Sequence, residues 1–396
     1  MTASLAAMPS VCQTLLYPRS IALVGASDDV KKTGGRPLQF LRRSGFAGTI
    51  YPINPNRAQV QGEQAWPSLA ALPQVPDHVF VLSPTETVID TVRECARLGV
   101  SLVTILASGF SESGAEGVQR EAELRAIARN STLRILGPSS LGVVNPHNGL
   151  VLTANAAFAE PDVPRGKVFV ASHSGSMIGA LVSRGKARGV GFAGLVSVGS
   201  EVDLSVGEIC AATLDDPAIE GYALFLESLR HGDQLQAFAR EAARRGKPVI
   251  AYKLGRSSAA AEMATTHTGA LAGEDDIADA FLKDLGIVRV DMLETLFEVF
   301  PLAQKVPLQS HSMAGKRIGV VTTTGGGAAM VVDQLGLRGI TVQPVSDATL
   351  AKLKAARQQR LHRHEATSIE LLQEAQAHVR ITQARVSSLT AQNQAS

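Results

Sequence analysis

The residue types suited to chemistry in this chain of 396 residues gather in four short stretches. His267 stands in TTHTGALAG (265–273), flanked by Thr265, Thr266 and Thr268 and followed by Gly269. An isolated histidine is more often a surface or core residue, but these small, hydroxyl-bearing surroundings suit a loop that offers an imidazole as a nucleophile. Glu227 closes the run YALFLES (222–228). At the carboxyl end of a parallel strand it would stand where ligands meet such sheets, able to accept an imidazole N–H and hold one tautomer. Taken alone, a strand-end surface charge reads equally well. SHSGS (172–176) joins an apolar run to a helical one. Ser174 or Ser176 there serves as a helix cap, or with Gly175 and the helix N–H groups as an anion site. GxSxG is absent, so a nucleophile elbow is not supported. GASDDVKKTGG (25–35) is a glycine-bearing turn before a helix, of the kind that presents N–H groups to a phosphate. It lacks the GxGxxG spacing, and the next run ends in Asn54-Pro55 where a nicotinamide dinucleotide needs a carboxylate. A nucleotide other than NAD is therefore favoured. Lys31, Lys32 and Arg57 are available to phosphates, although solvated surface is the ordinary role of such side chains.

The elements that must position these groups alternate regularly. Strands are expected at 20–26, 49–55, 78–84, 101–109 and 133–138, with helices at 35–45, 85–99 and 116–129 between them. Continuous apolar strands separated by helices make a parallel sheet covered on both faces. Pro146, Pro161 and Pro164 among small polar residues mark a boundary, after which the alternation restarts. The runs at 166–175, 191–200, 221–228 and 246–255 each read as a strand ending in a small-residue turn, with helices at 176–188, 234–245 and 274–285. A third restart begins at KRIGVVTTTGGGAAM (316–330), with a helix at 328–335, a strand at 340–345 and a helix at 347–356. From Arg357 the composition turns to Gln, Ala, Arg and Ser without strand or tight-turn signals. One βαβ unit cannot close a sheet domain of ordinary size, so this third unit is expected to be incomplete or finished by a partner chain.

Composition bounds the rest. Hydrophobic residues make up 45% and charged residues 19%, an ordinary globular balance. A formal charge of +2 leaves no electrostatic footprint for nucleic acid. Cys12, Cys95 and Cys210 are too far apart in sequence for a CxxC metal site or a disulfide framework, so no metal site is expected. No apolar run reaches the roughly 18 residues of a membrane span, and the N-terminus does not read as a secretory signal. A cytoplasmic α/β protein is expected.

In order along the chain, the GAS turn, YPINP (51–55), SGF (108–110), GPSSLG (137–142), SHSGS, LES (226–228) and above all HTGALAG (267–273) resemble the α-type part of the ADP-forming (NDP-forming) acyl-CoA synthetases. These are relatives of the succinyl-CoA synthetase α subunit, and the resemblance covers about residues 15–350. It implies tandem doubly wound parallel-sheet domains: a Rossmann-like CoA-binding domain at 1–148 and a flavodoxin-like ligase domain at 149–308 carrying a phosphohistidine loop. The start of a third flavodoxin-like domain would follow at 309–356, then a polar helical or disordered tail at 357–396. It further implies that coenzyme A lies near Gly25, Ala26, Ser27, Pro52, Asn54, Pro55, Ser83, Ser108 and Gly109. His267 would carry a phosphoryl group with Glu227 as its carboxylate partner, and Ser174, Gly175 and Ser176 would hold the phosphate at a helix N-terminus. A carboxylic acid, CoA and ATP would become acyl-CoA, ADP and phosphate through an acyl phosphate. ATP/ADP with Mg2+ would be bound by a separate ATP-grasp β-type subunit, in an oligomer. Two departures stand out: GPSSLG replaces the family's usual GPN beginning, so Ser139 lacks an amide, and His173 stands where Gln is common. The competing reading is a CoA-binding regulatory or scaffold protein without turnover. An NAD-dependent oxidoreductase is weakened by the missing dinucleotide fingerprint.

Overall fold

The computed structural model describes residues 10–160, 162–257, 259–260, 275–303, 318–320, 322, 324–343, 345–363, 371 and 373–380. The chain divides into two units, Met1–Gln309 and Ser310–Ser396.

In the first unit a short helix α1 (Val11–Leu16) leads into β1 (Ser20–Val24), α2 (Arg36–Arg43) and β2 (Thr49–Ile53). A two-residue hairpin, β3 (Gln59–Val60) and β4 (Glu63–Gln64), precedes β5 (His78–Val81), α3 (Val88–Leu98), β6 (Leu102–Ile105), α4 (Ala115–Arg129) and β7 (Arg134–Leu136). The five longer strands pair in parallel in the order β2-β1-β5-β6-β7. A single parallel bridge, Ile53 to Trp66, continues the sheet outside β2. With that rudimentary edge strand counted, the order is that of a dinucleotide-type sheet, and the order reverses between β1 and β5. Every residue of β5 and β6 is buried, which is why their sequences show no polar alternation. The helices show the complementary pattern: α3 buries Val88, Val92 and Cys95, one stripe at helical spacing.

The second sheet begins earlier than its sequence suggests. The stretch around Pro146 forms an antiparallel hairpin, β8 (Gly142–Asn145) and β9 (Leu150–Thr153). β8 pairs with the second sheet, so the boundary expected at 148/149 falls inside a hairpin turn. Both hairpin strands are wholly buried, and that burial, invisible in a short segment rich in Pro, Asn and Gly, decides the matter. After it come β10 (Arg165–Ser172), α5 (Gly175–Ala187), β11 (Phe192–Ser197), α6 (Val206–Ala212), β12 (Gly221–Leu226), α7 (Gly232–Arg244), β13 (Val249–Lys253), the helix Asp275–Asp284 and β14 (Val288–Val290). The order is β14-β13-β12-β10-β11-β8-β9, parallel except for the hairpin. The five parallel strands have flavodoxin-like order, with the reversal between β10 and β12. Tyr222 packs edge-on against Phe169 and Phe238 at 5.7 and 4.8 Å, locking β12 to β10 and to α7.

In the second unit a parallel bridge joins Ile318 to Val342, and the helix Gly325–Gly336 lies between them, a single βαβ turn. The following helix runs Asp347–Arg363, past the expected end at 356.

Candidate functional site

Open α/β sheets take ligands in the crevice outside the carboxyl ends of their strands where strand order reverses, which in the first unit means the ends of β1 and β5 in the first sheet and of β10 and β12 in the second. The first crevice is lined by the turns after β1, β5 and β6. Gly25 leaves β1 at φ +88°, and a Cβ there would lie 3.0 Å from the Ser83 nitrogen, so only glycine lets the turn pass against the end of β5. The N–H groups of Gly25 and Ala26 both donate to the Ile53 carbonyl, at 3.1 and 3.2 Å, and that of Ser27 donates to Gly34. The first three amides of the turn are therefore spent within the fold and not held out to a phosphate. The turn offers the Ser27 hydroxyl, with Lys31 and Lys32 exposed beside it. Asn54 is a brace: its Nδ2 donates to the Ala26 carbonyl at 2.9 Å and its Oδ1 accepts from the Asn56 N–H. Pro52 is buried inside β2 and gives its carbonyl to the Trp66 N–H, so it positions Asn54 and the exposed Pro55 without facing the crevice. Arg57 pairs with Asp28 and is not held in reserve for a ligand.

The rest of this rim is hydroxyl-rich. Thr87 donates to Ser83 Oγ at 2.8 Å, and Thr85 donates to the Ser108 carbonyl at 2.7 Å. Gly109, at φ +94°, gives its N–H to Glu112 at 2.6 Å. Gly25 thus lies against Ser83, while Thr85 touches both Ser108 and Gly109.

GPSSLG links this crevice to the second. The N–H groups of Ser139 and Ser140 donate to Ala107 and Ile105 at the end of β6. The carbonyls of Gly137 and Pro138 accept from Val202 and Ser200 beyond β11. Ser139 sits at φ +60°, a conformation asparagine adopts more readily than serine.

The second crevice is built on the start of α5. Ser174 occupies the cap position but makes no side-chain capping bond; its hydroxyl lies 3.3 Å from that of Ser176. The 13-residue helix therefore has no side chain of its own closing its positive end. A Cβ on Gly175 would stand 2.7 Å from Leu141 Cγ and 2.9 Å from Ser197 Oγ, so glycine is what lets the helix start this deep. Asn155 Nδ2 donates to the Gly175 carbonyl at 3.1 Å and fixes the first turn from behind.

Glu227 follows β12 and is buried beside this helix start. Its N–H donates to His173 Nδ1 at 3.0 Å, and its carbonyl accepts from Lys253 Nζ at 3.1 Å. His173 is buried too, with its own N–H bonded to the Phe225 carbonyl. On the far side of the ring, Nε2 is 3.3 Å from Glu201 Oε2. Glu201, also buried, accepts the Val206 N–H at 2.8 Å. Burial pushes the Lys253 ammonium below the usual lysine range, as does Arg289, against the opposing pull of Asp275 and Glu227. His267 and the segment 261–274 lie outside the described residues.

Sequence reasoning missed Glu201 and noted His173 only as a departure. The rule that selected Glu227, a carboxylate past the end of a parallel strand, reaches Glu201 as well, four residues beyond Ser197 at the end of β11.

Comparison with known proteins agrees with this architecture. Residues 19–146 match a CoA binding domain, and residues 165–303 match a succinyl-CoA ligase like flavodoxin domain. The chain is 32% identical over 340 residues to subunit alpha of an ADP-forming acetate–CoA ligase II of Pyrococcus furiosus, covering 85% of this chain and 71% of that subunit. It is 30% identical over 342 residues to an ADP-forming acetate–CoA ligase II of Archaeoglobus fulgidus, covering 86% of this chain and 49% of that protein. The chain thus spans about half the length of the two Archaeoglobus fulgidus ligases it matches. Among solved structures, the acetyl-coenzyme A synthetase 1 of Ca. Korarchaeum cryptofilum, in complex with phosphate and ADP, superposes with a TM-score of 0.77 at 28% identity, covering 87% of this chain and 72% of that one.

Proposed function

The chain belongs to the ADP-forming acyl-CoA synthetases, as their α-type CoA-binding and ligase part, and from that premise we propose that it is the phosphoryl-carrying component of an acid–thiol ligase. The reaction is carboxylic acid, CoA and ATP to acyl-CoA, ADP and phosphate, run through an acyl phosphate and a phosphohistidine. CoA takes the first crevice, where the hydroxyls of Ser27, Ser83 and Ser108 and the exposed Lys31 and Lys32 suit its diphosphate. ATP/ADP with Mg2+ is bound by an ATP-grasp partner of β type.

The observation that carries this reading is the start of α5. A helix with no side-chain cap, at a strand-order reversal and against a buried carboxylate, suits a phosphate at its positive end and a cationic or N–H-bearing partner at Glu227. In this proposal His267 is the nucleophile. Its attack on the acyl phosphate forms a P–N bond and breaks the P–O bond, releasing the carboxylate, while the imidazolium proton is left facing Glu227. The α5 N–H groups, with Ser174 and Ser176, take up the charge on the phosphoryl oxygens.

Incubating the chain with acetyl-CoA and radiolabelled phosphate tests this without a partner subunit. A protein-bound label that is lost in acid and kept in base is the expected result, and His267→Ala abolishes it. A chain that binds CoA yet takes no label under these conditions is a regulatory module and not a ligase component.

A further inference from the structure

The proposed reaction leaves two buried titratable groups beside Glu227 without a task, and their geometry supplies one. The Glu227 N–H can only donate, and it points at His173 Nδ1 at 3.0 Å. That nitrogen must therefore carry a lone pair, which puts the single ring proton of a neutral imidazole on Nε2. An imidazolium would set two N–H donors face to face. Nε2 in turn lies 3.3 Å from Glu201 Oε2, both side chains being about 95% buried; among the described residues it makes no aligned hydrogen bond, to Glu201 or to any other group, so the pair stands at ion-pair distance. Glu201 is fixed in its turn by the Val206 N–H on its other oxygen. With Oε1 taken by the Val206 N–H, Oε2 is the acceptor oxygen that faces the Nε2 side of the ring.

We propose that His173 and Glu201 are a positioning pair for Glu227: Glu201 selects the Nε2–H tautomer of His173, and the free Nδ1 lone pair anchors the backbone from which the Glu227 carboxylate projects. Lys253 holds the carbonyl of the same residue, so Glu227 is clamped at both its N–H and its C=O. The inference rests on the reading of Glu227 as the group that supports phosphorylated His267. A glutamine side chain meets the same demand at position 173, since its carbonyl accepts the Glu227 N–H and its amide donates toward Glu201; leucine meets neither.

Nitrogen-15 spectra of histidine-labelled full chain at neutral pH, with the His173 signal assigned by its loss in His173→Gln, read the tautomer directly. A proton on Nε2 is expected, and Glu201→Ala shifts the signal toward the mixed state. A His173 protonated on Nδ1, or on both nitrogens, overturns the pair. In the labelling assay His173→Gln stays within about threefold of the parent, whereas His173→Leu slows labelling about 10- to 100-fold with the dependence on acyl-CoA concentration unchanged. The double variant His173→Leu/Glu201→Ala is no worse than His173→Leu alone, because Glu201 acts through the ring. Labelling by His173→Leu at the parent rate overturns the proposal. If the parent itself takes no label, the reading of His267 fails, while the tautomer and the exchange rate of the Glu227 amide, faster in His173→Leu, still decide whether the pair exists.

Discussion

Ser174 separates two jobs that a serine at a helix start can hold. Replacing a capping serine ordinarily costs about 1 kcal/mol, because an orphan N–H loses its acceptor. Ser174 makes no such bond, and among the described residues its hydroxyl pairs with that of Ser176. Ser174→Ala is therefore expected to change stability toward urea by less than about 0.5 kcal/mol while slowing phosphoryl labelling about tenfold or more, since in the proposed reaction this hydroxyl takes up charge on the phosphoryl oxygens. A stability loss of the full capping size with unchanged labelling would return the serine to its ordinary structural role. Gly175 sharpens the contrast. A methyl group there meets Leu141 and Ser197 below 3.0 Å, so Gly175→Ala should lower both stability and labelling. The type of each of these residues was legible in the sequence; which of them bonds its own helix was not, because a cap depends on one hydroxyl rotor and on where the preceding strand ends.

The strands show what a linear pattern carries and what it omits. β1, β5, β6, β11 and β12 were legible because burial on both faces writes an unbroken apolar run. β8 and β9 were not, because four-residue strands around Pro146, Asn148 and Gly149 carry turn chemistry and betray their partner only through register with β11. One strand also hides a titrating group. His78, fully buried in β5, bonds Thr104 through Nε2 at 2.7 Å, and burial pushes its imidazole down to about 3, against weaker opposing pulls from the Thr14 backbone and Asp77. Because the folded chain refuses a proton that the unfolded chain accepts below about 6.5, folding loses stability as the pH falls from about 6.5 toward 3. The slope from this residue approaches about 1.4 kcal/mol per pH unit. His78→Gln, which keeps a polar partner for Thr104 but does not titrate, should flatten the fall of melting temperature between pH 6.5 and 4. An equally steep fall in the variant would mean that other groups drive the acid transition.

Across the first unit as a whole, the two crevices are built on different sheets yet share the GPSSLG link, whose carbonyls and N–H groups reach the ends of both β6 and β11. The proposed chemistry needs this arrangement, because the thiol of a CoA molecule held at the first sheet must meet an acyl phosphate formed at the second. In the proposed division, binding and phosphoryl transfer nonetheless rest on separate residues: CoA binding on Gly25, Ser83, Ser108 and Gly109, phosphoryl transfer on Ser174, Gly175, Ser176 and Glu227. The two properties should therefore come apart under substitution. Calorimetric titration of the full chain with CoA, dephospho-CoA and NAD is expected to rank CoA tightest, since the residue that follows β2 is Asn54, spent as a brace, and not a carboxylate for the ribose of NAD. His267→Ala should keep the CoA affinity within about twofold while losing all label, because mutations with no shared partners act independently. Gly25→Val should do the reverse. A Cβ at that position is already at 3.0 Å from the Ser83 nitrogen and at a φ of +88° that branched residues avoid, so the turn must leave the end of β5. CoA affinity should fall by about tenfold or more, and label supplied as acetyl phosphate, which bypasses the thioester, should still reach His267. Loss of CoA binding in His267→Ala, or tighter binding of NAD than of CoA by the parent, would mean that the first crevice is not the CoA site and that the division of labour between the sheets has been assigned wrongly.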